Sequence, residues 1–98
     1  MSNTREIPVH TAKVVVEISK RPISFNPLQF KFSLSPSTLS RILRFLRSSG
    51  FIEVVIIRHE KRDAMTKAYQ ITAKGKKAIP LFKVHGDTER EILEKIRE

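Results

Sequence analysis

The sequence contains no cysteine, which excludes disulfides and thiolate metal sites. It contains no apolar run approaching the roughly 18 residues that a membrane-spanning helix requires. Its first ten residues, MSNTREIPVH, carry one arginine and no apolar stretch, so no secretory signal is expected, and a reducing cytoplasm is the expected setting. The three histidines, His10, His59 and His85, lie far apart and show no metal-ligand spacing. No G-x-S-x-G, phosphate-binding glycine loop or H-E-x-x-H pattern is present. The carboxylates Glu89, Glu91, Glu94 and Glu98 read as the solvated face of a tail helix. No enzymatic activity, no cofactor and no metal are therefore expected. Repeats and low-complexity segments are absent as well.

Acidic side chains are scarce where basic ones are plentiful. Nineteen Lys and Arg face ten Asp and Glu, for a net charge of +9. Residues 1–86 hold sixteen positive and five negative side chains, net +11, whereas residues 87–98, DTEREILEKIRE, hold three positive and five negative, net −2. A basic body implies a polyanionic partner, and an acidic tail implies a separate role. The chain's 98 residues make one domain with a modest core, which a partner subunit would help to stabilise.

What is present is a series of short amphipathic elements. A first helix is expected from Pro8 or Val9 to Lys20. Pro8 suits a first turn, Ala12, Val15, Val16 and Ser19 follow helical spacing, and Lys13 and Glu17 form an i,i+4 pair. The stretch RPISFNPLQFKFSLS carries conflicting signals. Leu28, Phe30, Phe32 and Leu34 alternate with polar residues as in a strand, yet Asn26 followed by Pro27 is a helix start, and Leu28 and Phe32 are spaced i,i+4.

The third segment, LSPSTLSRILRFLRSSG, is the clearest helix. Ser35 caps it, Pro36 takes the first position and Gly50 ends it. At helical spacing Leu39, Ile42, Leu43 and Leu46 share one face, and Ser37, Ser40, Arg41, Arg44 and Ser48 share the opposite one. Thr38 and Phe45 lie on one border and Arg47 on the other. No acid occurs between Leu34 and Ile52, although solvated helix faces usually mix glutamate with lysine. Small hydroxyl residues in the first turn followed by arginines suit a helix that enters a DNA major groove.

FIEVVIIRH, residues 51–59, reads as a strand, EKRDAMTK as a charged loop, and AYQIT, residues 68–72, as a return strand with Tyr69 and Ile71 on one face. Thr72 caps a helix through AKGKKAI that Pro80 is expected to disturb. Thr88 and Glu91 have capping-box spacing before a last helix with Ile92, Leu93 and Ile96 as its apolar stripe.

The elements FNPL, LSPSTLSRILRFL, GFIE and YQITAKG, over roughly residues 9–79, resemble the winged helix-turn-helix transcriptional regulators, with HxlR- and MarR-type families as the nearest flavours. The resemblance implies an α+β, mainly helical fold: a three-helix bundle with a helix-turn-helix, a two- to three-stranded β wing and a C-terminal helix. It favours a helix over a strand at about 26–33. It makes 35–49 a recognition helix, with Ser37, Thr38, Ser40, Arg41 and Arg44 facing the major groove of double-stranded DNA. It makes 58–67 a wing, with Arg58, Lys61, Arg62 and Lys67 at the minor groove or phosphates, Arg62 foremost. The expected organisation is an arm at 1–8, a DNA-binding domain at 9–79 and a helical extension at 80–98. That extension either pairs two copies through Ile92, Leu93 and Ile96 or folds back on its own domain; pairing doubles the site that one helix reads. A protein that coats DNA without specificity and an adaptor that binds another protein are the alternatives to a sequence-specific regulator.

Overall fold

The computed structural model describes residues 10–58 and 64–85. The elements run α1 (Thr11–Lys20), α2 (Phe25–Phe32), α3 (Pro36–Ser48), β1 (Ile52–Arg58), β2 (Met65–Ile71) and α4 (Ala73–His85). β1 and β2 form an antiparallel ribbon whose register runs from Ile52↔Ile71 to Arg58↔Met65. Ile23, between α1 and α2, adds a one-residue third strand: its N–H donates to the Tyr69 carbonyl at 3.0 Å, and the Tyr69 N–H donates back at 2.8 Å.

The core is one cluster beneath the helices. Val14, Val15 and Ile18 of α1, Leu28 of α2, Leu39, Ile42, Leu43 and Leu46 of α3, and Phe51, Ile52, Ala78 and Phe82 are all buried. Phe51 and Phe82 meet edge to face with ring centroids 6.0 Å apart, a geometry the aromatic quadrupole favours.

The same device ends α2 and α3. The Phe51 N–H reaches back to the Leu46 carbonyl at 2.9 Å and the Gly50 N–H to Arg47 at 3.0 Å; Leu34 and Ser33 make the matching bonds to Gln29 and Phe30. Each pair satisfies carbonyls that the last helical turn leaves open. The pivot lies in the left-handed region both times, Gly50 at φ 78° and Ser33 at φ 52°. Only three residues, Ser33 to Ser35, separate α2 from α3, which is helix-turn-helix spacing.

Several expectations shift. α1 begins at Thr11, later than expected, and its buried stripe centres on Val14, Val15 and Ile18. Glu17 bonds Lys20 and Lys31 rather than Lys13, because its carboxylate is buried at the contact with α2 and the α2 lysine reaches it. α2 starts at Phe25 after Ser24, so Asn26 and Pro27 lie inside the first turn, where a missing proline N–H costs no helical bond. β2 starts at Met65, because strand pairing extends along the hairpin to Arg58. α4 continues through Pro80 to His85: Pro80 is exposed, and two residues later Phe82 is buried in the core. Burial of a phenylalanine contributes about 1.5–3 kcal/mol, comparable to the cost of about 3 kcal/mol for an internal proline.

Candidate nucleic-acid interface

Ser35 fixes the start of α3. Its Oγ accepts from the Thr38 N–H at 3.2 Å and donates to Thr38 Oγ1 at 2.8 Å. Such a cap contributes about 1 kcal/mol, and it occupies the Thr38 hydroxyl, which is half-buried on the border of the helix. Ser37, Ser40, Arg41, Arg44, Arg47 and Ser48 are exposed, while Leu39, Ile42, Leu43 and Leu46 are at most 3% exposed. The two faces of the helix are thus divided as the spacing indicated. Among the described residues Glu17 pairs with Lys20 and Lys31, and no ion pair involves Arg41, Arg44 or Arg47.

The ribbon stands beside this face. Arg58 ends β1 and Lys67 lies within β2, both exposed. Lys61 and Arg62 fall outside the described residues, as do the Ile92, Leu93 and Ile96 of the expected pairing helix. By register Lys67 pairs with Ile56, and Arg58 pairs with Met65; Ile56 and Met65 are exposed apolar residues. Strand alternation puts Tyr69 on the same pleat face as Lys67 and puts Gln70 and Glu53 on the other. Glu53, the acid of β1, accepts a 3.3 Å hydrogen bond from Gln70 there.

Between α3 and the base of the ribbon lies an open groove of about 490 Å³. Phe25, Leu43 and Tyr69 give it an apolar floor, and Ser40, Arg44, Arg47 and Ser48 line its side. Among the described residues no carboxylate lines it. Arg47, Ser48 and Tyr69 were not among the residues expected to form the site. Arg47 sits three residues after Arg44, one helical turn further on, which was the available signal; Tyr69 joins the groove through β2, which no spacing along α3 reveals.

The junction of ribbon and helices is tightly built. The Thr72 hydroxyl donates to the Gly50 carbonyl at 2.6 Å and accepts from the Gly75 N–H at 3.0 Å, so it caps α4 and ties it to the end of α3. A Cβ on Gly75 would lie 2.1 Å from the Phe51 carbonyl oxygen and 2.6 Å from Ile71 Cδ1. Only a glycine allows α4 to approach the strands this closely. Lys74 Nζ lies 5.8 Å from the Phe51 ring centroid, within cation–π range.

No helix among the described residues is long and apolar enough to cross a membrane, and no group of three or more metal-ligating side chains occurs among them. No family model and no curated protein matches the sequence. Solved structures do. The chain is similar to a proposed transcriptional regulator from Thermoplasma acidophilum, with TM-score 0.63, 23% identity, and coverage of 88% of this chain and 87% of that one. It is similar to a PadR-like transcription factor from Bacteroides fragilis, with TM-score 0.62, 15% identity, and coverage of 88% and 87%. It is also similar to Streptococcus pneumoniae FabT, solved in complex with DNA, with TM-score 0.59 and 23% identity over 97% of this chain and 63% of FabT. A helix-turn-helix, a two-stranded ribbon and a closing helix shared with these regulators make this a winged-helix fold.

Proposed function

We propose that the chain is a sequence-specific, double-stranded-DNA-binding transcriptional regulator that acts as a homodimer. One observation carries the reading: α3 presents an exposed face of arginines and hydroxyl residues with no acid to neutralise it, beside a basic ribbon. The likeness to FabT, a protein solved with DNA, supports it.

In this reading α3 lies in the major groove. Ser37, Thr38 and Ser40 allow close approach at its N-terminal end, and Arg41 and Arg44 reach guanine edges. Arg58, Lys61, Arg62 and Lys67 of the wing follow the phosphates and the adjacent minor groove. Contacts to phosphate supply most of the affinity by releasing condensed counterions, so binding falls steeply with salt. The segment 87–98 pairs two copies through Ile92, Leu93 and Ile96, which gives a two-fold site.

Selection of bound duplexes from a random pool tests the reading. Enrichment of one palindrome is expected. Retention of all sequences alike would mean a coating protein, and no retention even near 50 mM salt would mean an adaptor. Sedimentation of the full chain and of an Ile92→Asp, Ile96→Asp variant tests the pairing: the full chain is expected to run as a dimer and the variant as a monomer.

A further inference from the structure

The groove between α3 and the base of the ribbon has chemistry that base reading does not use. We propose that it seats one phosphodiester of the duplex backbone, held by the Arg47 guanidinium and the Tyr69 hydroxyl, with Ser48 and Arg44 beside them. This rests on the reading of α3 as the major-groove element.

Place is the first argument. A backbone strand that separates the major groove, where α3 lies, from the minor groove, where the ribbon reaches, crosses the concavity between the two elements, and this groove is that concavity. Direction is the second. Six residues after Arg41, Arg47 points about 120° away from it around the helix axis. A side chain so placed faces a flanking strand when Arg41 faces the base edges. Chemistry is the third. Among the described residues two guanidiniums and three hydroxyls line the groove without a carboxylate, and Glu53 lies on the opposite pleat face from Tyr69, bonded by Gln70. The apolar floor is the fourth: Phe25 and Leu43 displace water beneath the cations, which strengthens a charge-assisted bond to a phosphate oxygen. A phosphodiester oxygen accepts from guanidinium and hydroxyl alike, and the groove supplies both.

The experiment measures the salt dependence of binding to two fluorescein-labelled duplexes by anisotropy, using the full chain. One duplex carries the selected sequence and the other its scrambled version. Arg47→Ala is expected to weaken binding to both duplexes by the same factor and to flatten the plot of log affinity against log salt by about 0.9, one phosphate contact. Arg47→Lys is expected to keep the wild-type slope, because it keeps the charge. Tyr69→Phe is expected to weaken both duplexes equally with the slope unchanged, because the hydroxyl carries no charge. Wild-type affinity in both Arg47→Ala and Tyr69→Phe would overturn the seat while leaving the reading of α3 intact, provided the wild type still discriminates between the duplexes. A changed ratio between the two duplexes in Arg47→Ala would also overturn it, since Arg47 would then be reading bases. Failure of the wild type to bind either duplex would remove the reading of α3 and the seat together.

Discussion

Among the described residues, two grooves of comparable size are both rich in cations. One, of about 490 Å³, lies between α3 and the ribbon and carries Arg44 and Arg47 with no acid among its described lining residues. The other, of about 390 Å³, lies among α1, α2 and α4 and carries Lys13, Lys20, Lys31 and Lys83 together with Glu17. In the second, Glu17 holds Lys20 at 3.2 Å and Lys31 at 3.1 Å. The Lys31 hydrogen bond holds the Glu17 carboxyl below the usual glutamate range; burial works against this, and Lys20 adds to it. The difference teaches that a count of cations does not locate a polyanion site. Cations bound to a buried carboxylate join α1 to α2, whereas cations without one are free to replace counterions on a phosphate.

Substitutions sharpen the contrast in decreasing order of effect. Gly75→Ala abolishes it, because the added methyl collides with the Phe51 carbonyl and α4 loses its seat against the strands. A loss of about 3 kcal/mol or more in stability is expected, with DNA binding lost in parallel, as read by thermal unfolding and anisotropy. Arg41→Ala separates the two regions: binding to the selected operator falls by about 1–3 kcal/mol, while the melting temperature stays at the wild-type value. Retained operator affinity in this variant and in Arg44→Ala would mean that α3 is not the reader.

Glu17→Gln is the reverse case and the smallest effect. Stability falls by about 1 kcal/mol, and operator affinity is unchanged. Its pH dependence has a definite sign. A carboxyl whose folded pKa lies below the ordinary 4.5 contributes fully above that value and loses its contribution as pH falls through the folded pKa. Wild type and Glu17→Gln therefore differ in urea midpoint at neutral pH and converge in strong acid. A difference that persists there would assign the effect to packing rather than to charge.

The contrast was only half legible in the sequence. α3 was, because its cap, its glycine stop and its two faces all follow from local spacing. The helix at 25–32 was ambiguous: Phe30, at 86% exposure, supplies the alternation of a strand without taking part in the core. The partner of Glu17 was missed because Lys31 is fourteen residues away, and only tertiary packing of α1 on α2 brings it near. The length of α4 was missed because proline chemistry is local, while the burial of Phe82 that sustains the helix is not. The groove itself required β2 to bring Tyr69 beside Arg47, a juxtaposition that no periodicity encodes.

The most direct test removes two positive charges from each region in turn. Arg41→Gln/Arg44→Gln and Lys20→Gln/Lys31→Gln have the same net charge, so any non-specific effect of charge cancels between them. Titration of the selected and the scrambled duplex at one salt concentration, below the melting transition of both variants, is expected to show the preference for the selected sequence lost in the arginine variant and kept in the lysine variant. Equal preference in the two variants would contradict the account, because the duplex would then sense the protein's total charge and not the surface of α3.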